Sequence, residues 1–283
     1  MRTILIAPNF DEWRNNARHL INAKIHPDDV LWSSLDDQTE GMLKFDDPLP
    51  TAPDSPRLNV PREFVRLAET VSCHRSGKQW ALLYQILWAM THGKDRNIMK
   101  NQTHPAVRAL EQMRKTVSRD IHKMRAFVRF KQIKDGENGL ESYVAWFEPD
   151  HLIVKVNTPF FRKRFAGMNW SILTPDDCVH WNGQNIQFSD GVDQTKAPND
   201  DELEDLWRAY YRSIFNPARL KIKMMQTEMP KKYWKNLPEA EIIEELIHGS
   251  SDMVMKMMAE KKRPLKVITN NNYLNKIHEL NRD

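Results

Sequence analysis

The sequence predicts an α+β protein that is mainly helical and carries a small antiparallel β-sheet at about residues 125–188. Three patterns predict this class. Apolar residues recur at helical spacing after Pro105, the spacing changes from about 3.6 to about two residues at Arg125, and short β-branched or aromatic segments then alternate with turn residues. Helical spacing returns after Asp200, so helices flank the predicted sheet along the chain.

The segment 1–60 is predicted to form a strand, a helix and then a long loop. Residues 2–7 have the β-branched composition of a strand, and Asn9 or Asp11 can cap the helix that follows. Residues 35–61 contain five prolines and many acids without apolar periodicity. That composition is typical of a linker, and it marks the predicted domain seam.

Residues 61–249 are predicted to form the core domain, and residues 250–283 a C-terminal tail. Helices are expected from Pro61 and over about residues 78–90. The helix that begins at Pro105 has an apolar side and a basic side. Its predicted core residues are Val107, Leu110, Val117, Ile121 and Met124, and its basic stripe is Arg108, Lys115, Arg119 and His122.

The predicted sheet begins with a hairpin at Arg125–Phe147, whose turn is the glycine-containing segment at residues 135–139. A short helix after Pro159 precedes three short strands, and Asn182-Gly183 is the clearest turn signal among them. The three predicted strands are Trp170–Leu173, Val179–Trp181 and Ile186–Phe188.

The composition is that of an ordinary globular protein, with 40% hydrophobic and 28% charged residues among 283. No apolar run near the start is long enough for a signal peptide or a membrane span, so no membrane partner is predicted. Two cysteines cannot build a disulfide framework, and the chain is predicted to be cytoplasmic. Glycine-rich nucleotide-binding, nucleophile-elbow and zinc-protease motifs do not occur in the sequence, so no cofactor is predicted.

The charges are segregated along the chain, although the net charge is only +4. Residues 28–54 contain eight acids and one lysine. Residues 114–134 contain eight basic residues and a single acid, Asp120, and residues 210–235 contain seven basic residues and a single acid, Glu228. Two basic blocks of this kind indicate a polyanionic partner more strongly than the net charge does.

The first basic block interleaves cations with aromatic rings in the segment HKMRAFVRFKQ. On the predicted strand, Arg125, Phe127, Arg129 and Lys131 share one face. There the ring can stack on an unpaired base while the cations bind phosphates. The alternative is that Phe127 lies under a covering helix and the arginines extend around it into solvent.

Two further stretches combine cations and rings. In the segment FFRKRF, Phe161 and Phe165 lie one turn apart and can both be buried, so that the three cations point outward. In residues 210–238, basic residues surround a Tyr-Trp pair. Prolines at the predicted helix starts leave backbone N–H groups available to a phosphate there. A solvated basic face is the alternative for each stretch.

Because acids are nearly absent from all three stretches, they are predicted to contact the backbone of a nucleic acid. The predicted stacking residues are Phe127, Tyr233 and Trp234. The predicted phosphate-contacting residues are Arg119, Lys123, Arg125, Arg129, Arg162, Lys163, Arg164, Arg219, Lys223, Lys231 and Lys232.

The segment WFEPDH places Glu148, Asp150 and His151 close together after a predicted strand. Such a trio can bind Mg²⁺ or carry out acid–base catalysis. The alternative is structural: Asp150 caps the next segment, Glu148 pairs with an arginine and His151 is a surface group, so no metal is predicted. A weaker zinc candidate, whose spacings match no known finger, combines Cys73, His74, Cys178 and His180.

Five long segments occur in order along the chain: VPREFVRLAETVSCHR, SRDIHKMRAFVRF, YVAWFEPDH, PFFRKRFAGMNWSILTP and YYRSIFNPARLKIKMMQTEMPKKYWKNLPEA. Through these segments, residues 1 to about 248 resemble a bacterial domain of unknown function that is described as a probable DNA-metabolism protein. The resemblance implies a role in DNA repair or modification, with DNA as the bound nucleic acid. It supplies no catalytic residues.

The resemblance also implies partners. Genes of this family typically lie beside a radical-SAM protein of DNA repair or modification. In many bacteria the domain is fused to a domain of the uracil-DNA-glycosylase superfamily. Only about 35 residues follow Gly249, too few for such a domain, so a stand-alone domain or a fragment of a fused protein is expected.

The leading hypothesis is therefore a DNA-binding accessory factor in DNA repair or modification that presents DNA to a radical-SAM or glycosylase partner. The first alternative is a metal-dependent nuclease or lyase that acts on damaged DNA through Glu148, Asp150 and His151. The second is a protein–protein adaptor with basic docking surfaces. The sequence leaves open whether the protein is an enzyme.

Overall fold

The structure is a computed structural model, and it describes residues 2–34, 58–93, 95–133, 142–196, 227–237, 240 and 255. The predicted α+β class is confirmed. The chain divides into two compact units, Met1–Leu203 and Glu204–Asp283, whereas the predicted boundaries near residues 60 and 249 stay predictions. Among the described helices, none combines the length and apolar character that crossing a bilayer requires.

The N-terminal segment forms the predicted strand and helix, together with a strand that was not predicted. Strand β1 (Arg2–Ile6) leads into helix α1 (Phe10–Asn22). The Asn9 side chain caps this helix by accepting a hydrogen bond from the Asp11 N–H at 2.9 Å. Strand β2 (Val30–Ser34) then pairs with β1 in parallel.

Helices α2 (Arg62–Val71) and α3 (Gln79–Thr91) pack with these N-terminal elements around one aromatic core. Trp13 is 2% exposed, and its indole N–H donates to the Trp80 carbonyl at 3.2 Å. The ring of Phe64 lies 6.4 Å from that of Trp13, centroid to centroid. Both predicted helices are therefore confirmed, and they bury the apolar side of α1.

Helix α4 (Pro105–Phe127) confirms the predicted amphipathic helix but is longer than predicted. The strand predicted from Arg125 is wrong, because the helix continues to Phe127 and extended backbone starts only at Val128. A contact with a later helix stabilises this extra turn, since the Arg125 Nε donates to the Asn157 Oδ1 at 2.8 Å. The fully buried residues on the apolar side include Val107, Leu110, Val117 and Met124.

Five strands form the second sheet, in the order in which they follow one another in the chain. Three of its strand pairs are antiparallel as predicted, but β4 and β5 are parallel. The sheet is mixed because helix α5 (Val154–Arg164) returns the chain between these two strands. The strands are β3 (Lys131–Ile133), β4 (Ser142–Trp146), β5 (Asn169–Leu173), β6 (Asp177–Trp181) and β7 (Ile186–Asp190).

Two of the predicted turns of this sheet join β3 to β4 and β6 to β7. The hairpin between β3 and β4 is confirmed, while its turn at residues 135–139 lies outside the described residues. At the second turn, the Asn182 side chain accepts hydrogen bonds from the N–H groups of Gln184 and Asn185 at 3.0 and 2.7 Å. Gly183 there has a φ of 84°, a conformation that only a residue without Cβ adopts readily.

Helix α5 covers one face of the five-stranded sheet through an aromatic cluster. Phe161 is 2% exposed, and its ring centroid lies 6.3 Å from that of Phe130 and 6.2 Å from that of Trp170. The helix predicted after Pro159 is thus confirmed, although it begins at Val154 and contains the proline. This packing fixes α5 against the sheet, and α5 in turn contacts α4.

In the second unit, the described residues include a short 3₁₀ helix, Lys231–Asn236, which begins after Pro230. Tyr233 is 2% exposed, and the Trp234 indole N–H donates to the Met229 carbonyl at 3.0 Å. The other helices predicted for this part of the chain lie outside the described residues.

Candidate nucleic-acid interface

A cleft of about 230 Å³ lies between helix α4 and the loop that follows strand β4. The α4 residues that line it are spaced i, i+3, i+4 and i+7, which places them on one stripe of the helix. The loop contributes two residues that the sequence indicated as candidates for chemistry. The lining residues are Thr116, Arg119, Asp120, Lys123, Asp150 and His151.

Asp120 holds the loop against the helix. The residue is 2% exposed, and its Oδ2 accepts a hydrogen bond from the His151 backbone N–H at 2.9 Å. A buried carboxylate requires donors of this kind, because burial removes its hydration. One residue further on, the Leu152 N–H donates to the Cys73 carbonyl at 2.9 Å. The loop is therefore fixed both to α4 and to the segment after α2.

Arg75 connects the same loop to the sheet. Its Nη1 and Nη2 each lie 2.6 Å from a carboxylate oxygen of Asp176, and its Nε donates to the Asp150 carbonyl at 3.1 Å. The hydrogen bonds to Asp176 raise the pKa of Arg75, so the guanidinium stays charged. The backbone of Asp150 is thus held in place, while its side chain is exposed at the cleft.

The rings of His74 and His151 lie next to each other, with their centroids 4.5 Å apart. The Ser76 backbone N–H donates to His74 Nδ1 at 3.2 Å, so that nitrogen carries no proton when it accepts this bond. Burial also lowers the pKa of His74. The folded protein therefore favours the neutral form of this histidine.

We expect the protein to lose stability as the pH falls from about 7.5 to about 5.5. Because the pKa of His74 is lowered in the folded protein, the contribution of His74 to the free energy of unfolding is fully present above the ordinary histidine pKa of about 6.5. Below that value the unfolded chain binds the extra proton first, and the contribution is lost as the pH falls through the folded pKa. Burial lowers the pKa of His180 as well, which adds a loss of the same sign.

Urea unfolding midpoints at the two pH values measure this loss. The His74→Gln variant should show a smaller decrease in midpoint than the unmodified protein, because the glutamine does not titrate. An equal decrease in both proteins would contradict the assignment to His74.

Arg119 and Lys123 are the two predicted phosphate-contacting residues that line the cleft. They lie one turn apart on α4, with Arg119 exposed and Lys123 half-buried. Within the described parts of the chain, neither residue has a carboxylate oxygen within 4.0 Å. Their charges are therefore not neutralised by a close ion pair, which leaves them available to an anionic ligand.

Arg125, Phe127 and Arg129 do not form the predicted strand face, because the first two belong to α4. Arg125 bonds to Asn157 across the α4–α5 contact. Arg129 Nη1 donates at 2.7 Å to the carbonyl three residues before it, which satisfies an acceptor at the end of α4. Phe127 is half-buried. The two arginines thus have structural contacts, and a role of these three residues at nucleic acid stays a prediction.

Arg162, Lys163 and Arg164 form the exposed last turn of α5. Phe161 is buried as predicted, whereas Phe165 is only half-buried. In the described ranges, none of these three cations has a carboxylate oxygen within 4.0 Å. Cations at a helix C-terminus are also favoured by the helix dipole. The turn is therefore a second patch of exposed positive charge, with a structural contribution of its own.

The third predicted stretch lies in the second unit. Lys231 and Lys232 are exposed, and their Nζ atoms lie 5.8 Å from the Trp234 ring and 4.6 Å from the Tyr233 ring, to the centroids. Tyr233 is 2% exposed, so its ring is covered, and the stacking role predicted for it stays a prediction. Arg219 and Lys223 lie outside the described residues.

The predicted trio of Glu148, Asp150 and His151 is divided. The last two residues line the cleft, whereas Glu148 Oε1 accepts a hydrogen bond from the Trp146 indole N–H at 3.0 Å. No three His, Cys, Asp or Glu side chains are grouped closely enough to hold a metal ion in the part of the chain that the structure describes. The four residues of the zinc candidate are likewise not among any such group in the described residues. Its His180 forms hydrogen bonds with the hydroxyls of Ser171 and Ser189 at 2.8 and 3.0 Å.

Sequence reasoning missed Asp120 and Arg75 as parts of the site. The sequence could have indicated Asp120, since it is the single acid of the first basic block. It could not have indicated Arg75, because the two residues that Arg75 bonds follow it by 75 and 101 positions.

A family model described as "Domain of unknown function (DUF4130)" matches residues 77–239. The match includes α4, α5, the five-stranded sheet and all six residues that line the cleft. No curated protein and no solved structure matches the chain.

Proposed function

The chain belongs to the DUF4130 family of unknown function, and from the two cations that line its cleft we propose that it is a DNA-binding accessory factor in DNA repair or modification. In this proposal it acts in the bacterial cytoplasm and presents DNA to a radical-SAM or glycosylase-superfamily partner. The resemblance to probable DNA-metabolism proteins supports the DNA-repair setting. The cations that line the cleft support the binding of DNA.

One observation carries the proposal: Arg119 and Lys123 line a concave surface on adjacent turns of one helix. Side chains at this spacing start about 5–6 Å apart, so both can contact one phosphate or two consecutive ones. The guanidinium presents a planar fork to phosphate oxygens, and the ammonium adds a compact charge. The exposed turn of Arg162, Lys163 and Arg164 is the second candidate contact on the same unit.

We expect the double variant Arg119→Gln, Lys123→Gln to bind single-stranded oligonucleotides about 10- to 100-fold more weakly at low salt, with a similar fold loss for each sequence. Each lost phosphate contact should also reduce the slope of log K against log salt by about 0.7–0.9. Fluorescence anisotropy across a salt series measures both quantities.

The matched control is Arg62→Gln, Lys100→Gln, which also removes one arginine and one lysine. Both control residues are exposed and neither lines the cleft. The control should bind nearly as the unmodified protein does. If the two double variants lose the same affinity, binding depends on net charge alone and the cleft is not the interface.

The nuclease or lyase alternative has less support, because Glu148 bonds to Trp146 and does not line the cleft with Asp150 and His151. If the protein is an adaptor, an acidic protein binds Arg119, Lys123 and the other exposed cations in place of DNA. The anisotropy titration across the salt series distinguishes this alternative from the proposal, because an adaptor of that kind would show no salt-dependent affinity for DNA.

A further inference from the structure

We infer that the cleft holds one unpaired nucleotide whose base carries an amino group, and not the backbone of a duplex. The inference rests on the proposed nucleic-acid binding and goes further, because it names the strand form and the chemistry of the base. Three features of the cleft carry it: its size, the distribution of its charges, and the pair of histidine rings beside it.

The size of the cleft limits what can enter it. Its volume of about 230 Å³ lies below the range of about 300–1,000 Å³ that is usual for sites of drug-sized ligands. A single nucleotide, or its phosphate and base edge, matches this scale. The two stacked and paired strands of a duplex are too large to enter it, whereas a base that has left the stack can enter.

The exposed charges differ between the two walls of the cleft. Helix α4 presents Arg119 and Lys123 next to the buried carboxylate of Asp120, while the loop presents the exposed carboxylate of Asp150. A carboxylate repels a second phosphate but accepts hydrogen bonds from amino groups, such as the N4 amino group of cytosine. Because a carboxylate offers about four acceptor sites, Asp150 keeps acceptor capacity beside the contacts that it already makes.

The ring of His151 lies at the same wall as Asp150 and is backed by the ring of His74 at 4.5 Å. Aromatic and histidine rings commonly stack on unpaired bases, which is how proteins recognise single strands. The bond from the His151 N–H to Asp120 holds the loop that carries this ring. A phosphate at α4, a base edge at Asp150 and a base face at His151 together describe one splayed nucleotide.

The experiment uses the full chain and fluorescein-labelled 12-residue oligomers of dC and dT, together with a mixed-sequence duplex, at low salt. We expect the dC oligomer to bind about tenfold more tightly than the dT oligomer and more tightly than the duplex, because thymine offers Asp150 an acceptor where cytosine offers an amino group. The Asp150→Asn variant should bring the dC-to-dT ratio close to one, since an amide both donates and accepts.

The matched control is Asp190→Asn, another exposed carboxylate that does not line the cleft, and it should keep the ratio of the unmodified protein. A duplex that binds as tightly as the dC oligomer, or a ratio that Asp150→Asn leaves unchanged, overturns the inference. Either result leaves the proposed function standing if the Arg119→Gln, Lys123→Gln variant still loses affinity. No binding to any of the three probes overturns both.

Discussion

Replacing Trp13 by alanine is expected to lower the free energy of unfolding by about 3–5 kcal/mol, the range for a buried tryptophan. Trp13 is 2% exposed, and its ring lies 6.3–6.4 Å from the rings of Trp32, Phe64 and Trp80. The substitution leaves a cavity among these rings and also removes the donor to the Trp80 carbonyl. The contacts join α1 and β2 to α2 and α3, so all four elements depend on this side chain.

Urea unfolding, followed by near-ultraviolet circular dichroism, measures this loss. Trp13→Phe is the matched control, because it keeps most of the apolar contact and removes only the indole N–H and part of the volume. Its loss should be smaller than that of the alanine variant. Equal losses would assign the effect to the hydrogen bond to Trp80 and not to the packing of the ring.

Local patterns in the sequence predicted the elements whose stabilising contacts are themselves local. The apolar side of α4 follows from residues such as Leu110 and Val117, which recur at helical spacing and are buried. The Asn182-Gly183 turn follows from side-chain chemistry within four residues. Such elements need no knowledge of the rest of the chain.

The errors occurred where a distant contact decides the conformation. Alternating apolar residues after Arg125 fit a strand as well as they fit a helix end, and the bond to Asn157, 32 residues later, favours the helix. Strand β2 was not predicted, because it is stabilised by pairing with β1, whose paired residues lie 28 positions earlier in the chain. The parallel pairing of β4 and β5 depends on the path of α5, which no local pattern gives.

The cleft combines both cases. Its basic wall could be predicted, because Arg119 and Lys123 lie one turn apart in a block with a single acid. Its other wall could not be placed against the first, since the bond that joins them links residues 31 positions apart. Sequence reasoning therefore identified four of the six lining residues but assigned them to two unrelated functions, phosphate contact and catalysis.

Replacing Asp120 by alanine is expected to lower the free energy of unfolding by about 1.5–3 kcal/mol, because it removes a buried charged acceptor. The carboxylate accepts the His151 N–H and lies near the positive charge of Arg75. Without it, the loop of Asp150 and His151 loses its anchor on α4. Thermal or urea unfolding measures the loss of stability, which Asp120→Asn should show to a smaller extent, because the amide oxygen can still accept the His151 N–H.

The two Asp120 variants should differ in their affinity for nucleic acid. Asp120→Asn keeps the loop in place and removes a negative charge beside Arg119 and Lys123. We therefore expect the oligomer to bind about three- to tenfold more tightly at low salt, because one repulsive charge is lost in a site that solvent only partly screens. Asp120→Ala removes the same charge and also the bond that holds the loop to α4, so its affinity should fall below that of the asparagine variant. Anisotropy titrations with a single-stranded oligomer compare the two. Equal affinity of both variants would mean that the bond from Asp120 to His151 does not position the ligand-binding wall of the cleft.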